Sequence, residues 1–361
     1  MGRTSALLFS FGLLIASAES FSCKDQNNKD VDWFAAYKMP IEKENSANGI
    51  AGGTAFYYVD SNVKGALKAS TETLDSKNQA IAYTLQQFYD RQKDQNVFHV
   101  MYNDEPYNTT SSFSGKLREE MIRANRLSEA ASIQFGHTKG VSFFDKTSGI
   151  WLVHSVPKFP PNDHYEYPTS GHDYGQTMLC MTFKYEQLQN ISTQLFYNHP
   201  DIYSSNLPAS YLWLFAGKFK QGSPYSRVVT LSTIGGTSFT SFAKTNEFNN
   251  DLYDGLIAPN LRTNLKVETW RRGSEVPLQC KNQYHALDAQ DIKVGDSSAF
   301  KYTKDHSKWA RSVDASKPYI CIGDINRMTS QFVRGGGSEC ISSTFLWNAF
   351  NVMQDTNSCA A

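Results

Sequence analysis

One nine-residue pattern occurs twice in this chain. His137-Thr-Lys-Gly-Val-Ser-Phe-Phe-Asp145 and His306-Ser-Lys-Trp-Ala-Arg-Ser-Val-Asp314 both read His-x-Lys, five residues, Asp, and the second copy stands 169 residues after the first at every position. The register runs on without a gap: Trp151-Leu-Val153 falls on Ile320-Cys-Ile322, and Val156 on Ile325. In each copy a short turn separates the Asp from an apolar, strand-like stretch. A lone His-x-Lys arises by chance in many chains. Two, each followed at equal distance by Asp and then by a strand, indicate a duplicated unit. Two copies are too few for a solenoid. They predict two similar halves packed face to face with one site shared between them.

These residue types suit one chemistry. In extended backbone, residues i and i+2 point to the same side, so His137 with Lys139, and His306 with Lys308, each present an imidazole beside an ammonium. Two such pairs converging give two titratable bases and two fixed cations. Phosphodiester cleavage needs those parts. A neutral imidazole attacks phosphorus or activates the attacker. A protonated one gives a proton to the leaving oxygen. The lysines stabilise charge on the phosphoryl oxygens. His137, Lys139, His306 and Lys308 are therefore the candidate catalytic residues.

Supporting candidates are fewer. Asp145 and Asp314 either orient an imidazole or cap a local turn. His154 ends an apolar strand and faces the same pocket in one reading; its counterpart in the second copy is Gly323, which argues against a symmetric role. Asn326 is a further supporting candidate. Lys158 and Arg327 align with each other, as contacts to DNA backbone or as solvated loop charges. His99, His164, His172, His199 and His285 are expected to be structural. The chain carries no H-E-x-x-H, no EF-hand loop, no Walker A sequence and no G-x-S-x-G, so neither metal nor cofactor is expected.

The N-terminus points to the secretory pathway. Arg3 precedes an apolar stretch, Ala6 to Ala16, and Ala16-Ser-Ala18 fits a small-x-small cleavage site. Residues 1–18 are expected to be a signal peptide, the stretch being too short for an ordinary membrane span. Six cysteines (Cys23, Cys180, Cys280, Cys321, Cys340, Cys359) at wide spacings suit an oxidising compartment, and fifteen pairings are possible on spacing alone. Asn108 and Asn190 stand in glycosylation sequons. Formal net charge is zero at pH 7, with eight histidines. A chain that grips nucleic acid at neutral pH is usually basic. Near pH 5, exposed histidines charge and the balance turns cationic.

Along the mature chain, strands are expected at 53–59, 97–102, 150–156, 175–183, 227–233 and 265–270, and helices at 75–91, 115–131, 241–254 and 345–354, from apolar periodicity. Residues 159–170 and the glycine run 334–338 are expected to be surface loops. The fold class is mixed α/β, with a first His-x-Lys half at 19–195 and a second at 196–361. Each half is expected to be a mixed sheet flanked by helices.

Longer stretches strengthen the motif. They include Val31-Asp-Trp-Phe-Ala-Ala-Tyr-Lys-Met-Pro40, Met101-Tyr-Asn-Asp104, Gly136-His-Thr-Lys-Gly-Val141 and Trp151-Leu-Val-His-Ser-Val-Pro157. Others are Tyr174-Gly-Gln-Thr177, Ser241-Phe-Ala-Lys244, Asp305-His-Ser-Lys-Trp309, Cys321-Ile-Gly-Asp-Ile-Asn-Arg327 and Arg334-Gly-Gly-Gly337. Together they resemble the deoxyribonuclease II family over nearly the whole mature length. The resemblance implies a metal-independent acid endonuclease of lysosomes or the secretory pathway, acting on DNA and leaving 3′-phosphate and 5′-hydroxyl ends. It also implies two pseudo-symmetric phospholipase-D-like halves around one active site, in a monomer with an internal pseudo-dimer and no membrane anchor. It implies His137 and His306 as the catalytic pair, one forming a phosphohistidine. The disulfides it implies are Cys23–Cys180, Cys280–Cys359 and Cys321–Cys340, each adding roughly 2–4 kcal/mol. The five-residue gap before Asp departs from the four-residue gap of the phospholipase D signature, so no role is carried onto Asp145 or Asp314. Two other readings share these residues: a phospholipase-D-like phosphodiesterase on another substrate, and a secreted nucleic-acid-binding paralogue without catalysis.

Overall fold

The computed structural model describes residues 20–63, 65–105, 135–214 and 219–359. The expected signal peptide, the helix expected at 115–131 and the Asn108 sequon lie outside the described residues. A short ribbon of β1 (Cys23–Lys24) and β2 (Asp30–Val31) opens the fold. The first sheet contains β3 (Trp33–Lys38), β4 (Phe56–Asp60), β5 (Lys68–Ala69), β6 (Phe98–Asn103), β7 (Lys139–Phe144), β8 (Ser148–His154), β9 (Gln176–Lys184) and β10 (Ile202–Asn206). The second contains β11 (Ser226–Ser232), β12 (Ser238–Lys244), β13 (Leu265–Glu268), β14 (Ala286–Ile292), β15 (Phe300–Lys301), β16 (Trp309–Ser312), β17 (Tyr319–Gly323), β18 (Gly336–Ser342) and β19 (Met353–Thr356).

The strand orders reveal the duplication. The first sheet runs β10-β6-β7-β8-β9-β3-β4-β5, the second β11-β12-β18-β17-β16-β13-β14-β15, with β19 also on β14. Strands β6-β7-β8-β9-β3-β4 thus correspond, in order, to β13-β16-β17-β18-β12-β11, and every pairing in these two sets is antiparallel. Each His-x-Lys motif leads into the first strand of a hairpin, β7–β8 or β16–β17.

Period-two alternation builds the layers. Trp33, Ala35 and Tyr37 point into a core shared with Trp309, Ile320, Ile322 and Ile341 of the second sheet, so the sheets pack face to face. Phe34 and Ala36 point the other way, toward the helix Ala80–Arg91, whose Ile81, Leu85 and Phe88 are buried. Each of those side chains contributes roughly 1.5–3 kcal/mol by leaving water. Gln79 caps this helix, accepting from the amides of Ile81 and Ala82. The outer face of the second sheet is covered by Leu252, Tyr253, Leu256 and Ile257. Strand β8 is buried along its whole length because both faces are covered, hence its continuous apolar run.

Three expectations need correction. Residues 241–254 are not one helix: β12 occupies the first part, hydrogen-bonded on both sides by β11 and β18. A short 3-10 turn follows at Asn246–Phe248, and the longer helical turns begin after Asp251, whose carboxylate accepts from the Tyr253 and Asp254 amides. Residues 345–354 split into a helix, Thr344–Ala349, and β19, which is drawn onto β14. The glycine run is not a surface loop, since β18 starts at Gly336 and is almost wholly buried. A helix absent from the sequence reading, Leu188–Asn198, crosses the expected junction at 195, and β10 beyond it still belongs to the first sheet. The disulfides are Cys23–Cys180, Cys280–Cys359 and Cys321–Cys340, the pairs the resemblance implies. Among the described residues no helix is long and apolar enough to cross a membrane.

Candidate active site

Both histidines stand just before a strand, and each is tethered to the opposite half. The His137 amide donates to the Gly335 carbonyl at 2.9 Å, and the His306 amide donates to the Gly175 carbonyl at 2.8 Å. Gly175 immediately precedes β9 and Gly335 immediately precedes β18, so these are corresponding positions of the two sheets. The crossing contacts continue behind the histidines. Thr138 Oγ1 donates to Asp324, and Tyr37 donates to Asp305 across the same junction. Close approach matters here: a Cβ on Gly136 would collide with the Asn198 carbonyl.

The two seats are furnished differently. His137 Nδ1 lies 2.7 Å from Gln331 Oε1 and 3.4 Å from Asn326 Nδ2, and its Nε2 lies 3.7 Å from Asp104. Asp104 also takes an ion pair from Lys139 and one from Arg334 at 3.1 Å. Burial alone would push the Asp104 carboxyl up; Lys139, His137 and Arg334 together hold it well below the usual carboxylate range. His306 has an aromatic seat. Tyr174 stacks on it at 4.7 Å between ring centres, and Trp270 meets it edge-on at 3.8 Å. Arg272 lies over the Trp270 ring at 4.4 Å. His306 Nε2 is buried with no hydrogen-bond partner among the described residues.

Electrostatics join the seats into one site. Burial, then Lys308, Lys139 and Arg272, pull the His306 imidazole down to about 2. Burial chiefly, with Lys139, Arg334 and Lys308 adding to it, pulls His137 well below its ordinary 6.5 against the opposing pull of Asp104. His154 sits between both units: burial, then Lys139 and Lys308, lower it to about 3. Its Nδ1 accepts from the Val156 amide at 3.2 Å, so its proton is on Nε2, which is buried and has no partner among the described residues. Burial, then Lys139, draw the Lys308 ammonium down to about 7. Lys308 Nζ donates to the His306 carbonyl at 2.7 Å.

His137, Lys139, His306, Lys308, His154 and Asn326 are thus brought together. Asp145 and Asp314 are not. Asp145 closes its hairpin turn, accepting from the Thr147 and Ser148 amides at 2.7 and 3.0 Å, and pairs with Arg91. Asp314 closes the corresponding turn by accepting from Ser316 at 2.9 Å. Of the two readings of these aspartates, capping is the one found. Arg327 cannot touch DNA backbone: it is fully buried among Asp251, Asp254 and Asp288. Asn190 lies on the helix Leu188–Asn198, its Oδ1 accepting from Arg227 at 2.8 Å. Among the described residues no group of three or more His, Cys, Asp or Glu side chains is arranged to hold a metal ion.

The sequence reading missed Asp104, Gln331 and Arg334 at one seat and Tyr174 and Trp270 at the other. The signal was partly visible, since Asp104, Tyr174 and Arg334 end or begin quoted stretches of the resemblance. Across residues 22–359 the chain matches the family model described as Deoxyribonuclease II. The chain belongs to the deoxyribonuclease II family. It is 59% identical to Deoxyribonuclease-2 of Caenorhabditis elegans over the full length of both chains. It is 36% identical to Plancitoxin-1 of Acanthaster planci, covering 96% of each chain. It is 34% identical to Deoxyribonuclease-2-alpha of Rattus norvegicus, covering 97% of each.

Proposed function

We propose that this chain is a metal-independent acid endonuclease that hydrolyses DNA to 3′-phosphate and 5′-hydroxyl ends, using His137 and His306 on one phosphodiester. The observation that carries the reading is the mutual tethering of the two histidines, each held by the other half around a shared pair of lysines. We take the two sheets as phospholipase-D-like halves on the same ground.

The reaction balances with these groups. A neutral imidazole attacks phosphorus as the P–O5′ bond breaks, and the other imidazole, protonated, gives its proton to O5′. The products are a phosphohistidine still linked to the 3′ oxygen of one fragment and a second fragment that leaves with a free 5′-hydroxyl. The second imidazole, now neutral, takes a proton from water. The water oxygen attacks phosphorus, the N–P bond breaks, and a 3′-phosphate leaves. Lys139 and Lys308 stabilise the equatorial oxygens, and the His154 Nε2 proton supplies a hydrogen bond to one of them.

The acid requirement follows from the electrostatics. Burial and the lysines keep both imidazoles neutral in the free site. A phosphodiester between the lysines adds negative charge and lets one imidazole take up a proton, which acid favours. The three disulfides fit an oxidising compartment, and lysosomes or the extracellular space are the proposed places of action. The test is plasmid digestion in EDTA at pH 5 and pH 7.5, with analysis of the product ends. Cutting at pH 5 to 3′-phosphate ends, weak at pH 7.5, is expected. A requirement for magnesium, or 5′-phosphate ends, would overturn the reading.

A further inference from the structure

Strands β3 and β12 correspond in the two sheets, and each ends in a lysine. Lys38 stands opposite Gln176, the first residue of β9, and Lys244 stands opposite Gly336, the first residue of β18. Both side chains are about 1% exposed. Among the described residues neither takes a carboxylate partner. Lys38 Nζ donates to the carbonyls of His172 and, at 2.7 Å, Tyr174. Lys244 Nζ donates to the carbonyls of Gln331, Phe332 and Arg334, at 2.9, 3.1 and 2.6 Å. A buried ammonium bound only to backbone oxygens is an expensive way to tie down a loop, and here it occurs at two matching positions.

The loops so tied are the ones that seat the histidines. The loop under Lys38 carries Tyr174, which stacks on His306, and leads to Gly175, whose carbonyl holds the His306 amide. The loop under Lys244 carries Gln331 and Arg334, and leads to Gly335, which holds the His137 amide. We propose that Lys38 and Lys244 are a matched pair of positioning residues, each fixing the loop that seats the catalytic histidine of the opposite half. Lys38 acts on His306, and Lys244 acts on His137. The idea rests on the paired-histidine reading above.

The charges around the lysines agree with this role. Burial draws Lys38 down to about 7 against the pull of Asp173 and Asp305. Burial likewise draws Lys244 down to about 7, with Asp251 opposing and Arg334 assisting. Both remain ammoniums at pH 5, where each needs its full set of carbonyl oxygens. A methionine of similar length keeps the packing and removes every donor.

The test uses the full-length mature chain with isotope-labelled histidine, carrying Lys38→Met or Lys244→Met. Imidazole resonances are recorded without substrate, and kcat and KM are measured at pH 5 on plasmid DNA. A crossed pattern is expected: Lys244→Met shifts the His137 resonances and spares His306, and Lys38→Met does the reverse. Each variant should lose roughly 10- to 100-fold in kcat, the cost of a misplaced reacting group, with KM changed by about twofold or less. Resonances that shift in the lysine's own half, in both halves equally or not at all would overturn the proposal, as would an unchanged kcat. If a methionine variant fails to fold, Lys→Arg at the same position keeps the charge while displacing the loop, and the same crossed pattern is required of it. The spectra are taken on resting protein, so their failure is distinguishable from failure of the nuclease reading, which the digestion assay tests.

Discussion

His137 and His306 occupy matching places in two matching sheets, yet their neighbours differ in kind. Strand register makes the comparison close. Asn103 pairs with Lys139, so Asp104 falls beside Thr138; Glu268 pairs with Trp309, so Trp270 falls beside Ser307, the counterpart of Thr138. Before the tethering glycines stand Arg334 on the His137 side and Tyr174 on the His306 side. One seat is therefore built from charge, Asp104 with Arg334, and the other from aromatic rings, Trp270 with Tyr174. The two halves share the His-x-Lys pairs and the backbone tethers. What diverged is the immediate electrostatic setting of each imidazole: a carboxylate opposes proton loss at His137, whereas the strongest charges on His306 are the cations Lys308, Lys139 and Arg272.

The largest effect that separates the seats is expected at Asp104. Asp104→Asn leaves Lys139 and Arg334 without their shared anion and removes the strongest charge that favours protonated His137. Cutting should fall roughly 100-fold, and the pH–rate profile should move toward acid, because His137 then holds a proton less well. A profile that moved toward alkali would break the comparison. A smaller loss is expected at the aromatic seat. Trp270→Ala should cost about 1 kcal/mol of ring contact, about tenfold or less in kcat, and Trp270→Phe, which keeps an aromatic cover over His306, should restore most of it and leave the pH profile in place. A pH shift there as large as that of Asp104→Asn would show that the seats do not differ as described.

The smallest effect concerns stability. The folded site holds His137, His154 and His306 neutral well below 6.5, where the unfolded chain would protonate them. The unfolded state then binds more protons as pH falls from 6.5, so this contribution to stability is present above 6.5 and declines toward pH 5. Calorimetry should find that added inorganic phosphate raises the melting temperature more at pH 5 than at pH 7. An equal phosphate effect at both values would contradict the coupling of anion and proton.

The four His and Lys residues were legible because the repeat marks them. Their seats were not, because they come from strands and loops remote in sequence and joined only by pairing, and because the two seats share no residue types for a repeat to display. Buried central strands such as β8 were legible as continuous apolar runs. The helix Leu188–Asn198 was not: its apolar Leu188, Ile191 and Leu195 are diluted by Gln, Asn, Ser and Thr, and its stability comes from lying on the second sheet, where Gln194 bonds Ser241 at 2.7 Å. Strand β12 was misread because its sheet neighbours, not its own residues, decide its conformation.

The most direct measurement is a double-mutant comparison of DNA cutting at pH 5 by His137→Ala, His306→Ala and the chain with both changes. Two imidazoles serving one phosphorus predict that each single variant loses nearly all activity, roughly 10²–10⁴-fold, and that the double variant is no worse than either. A single variant that keeps about half of the activity, as two separate centres would require, contradicts the account.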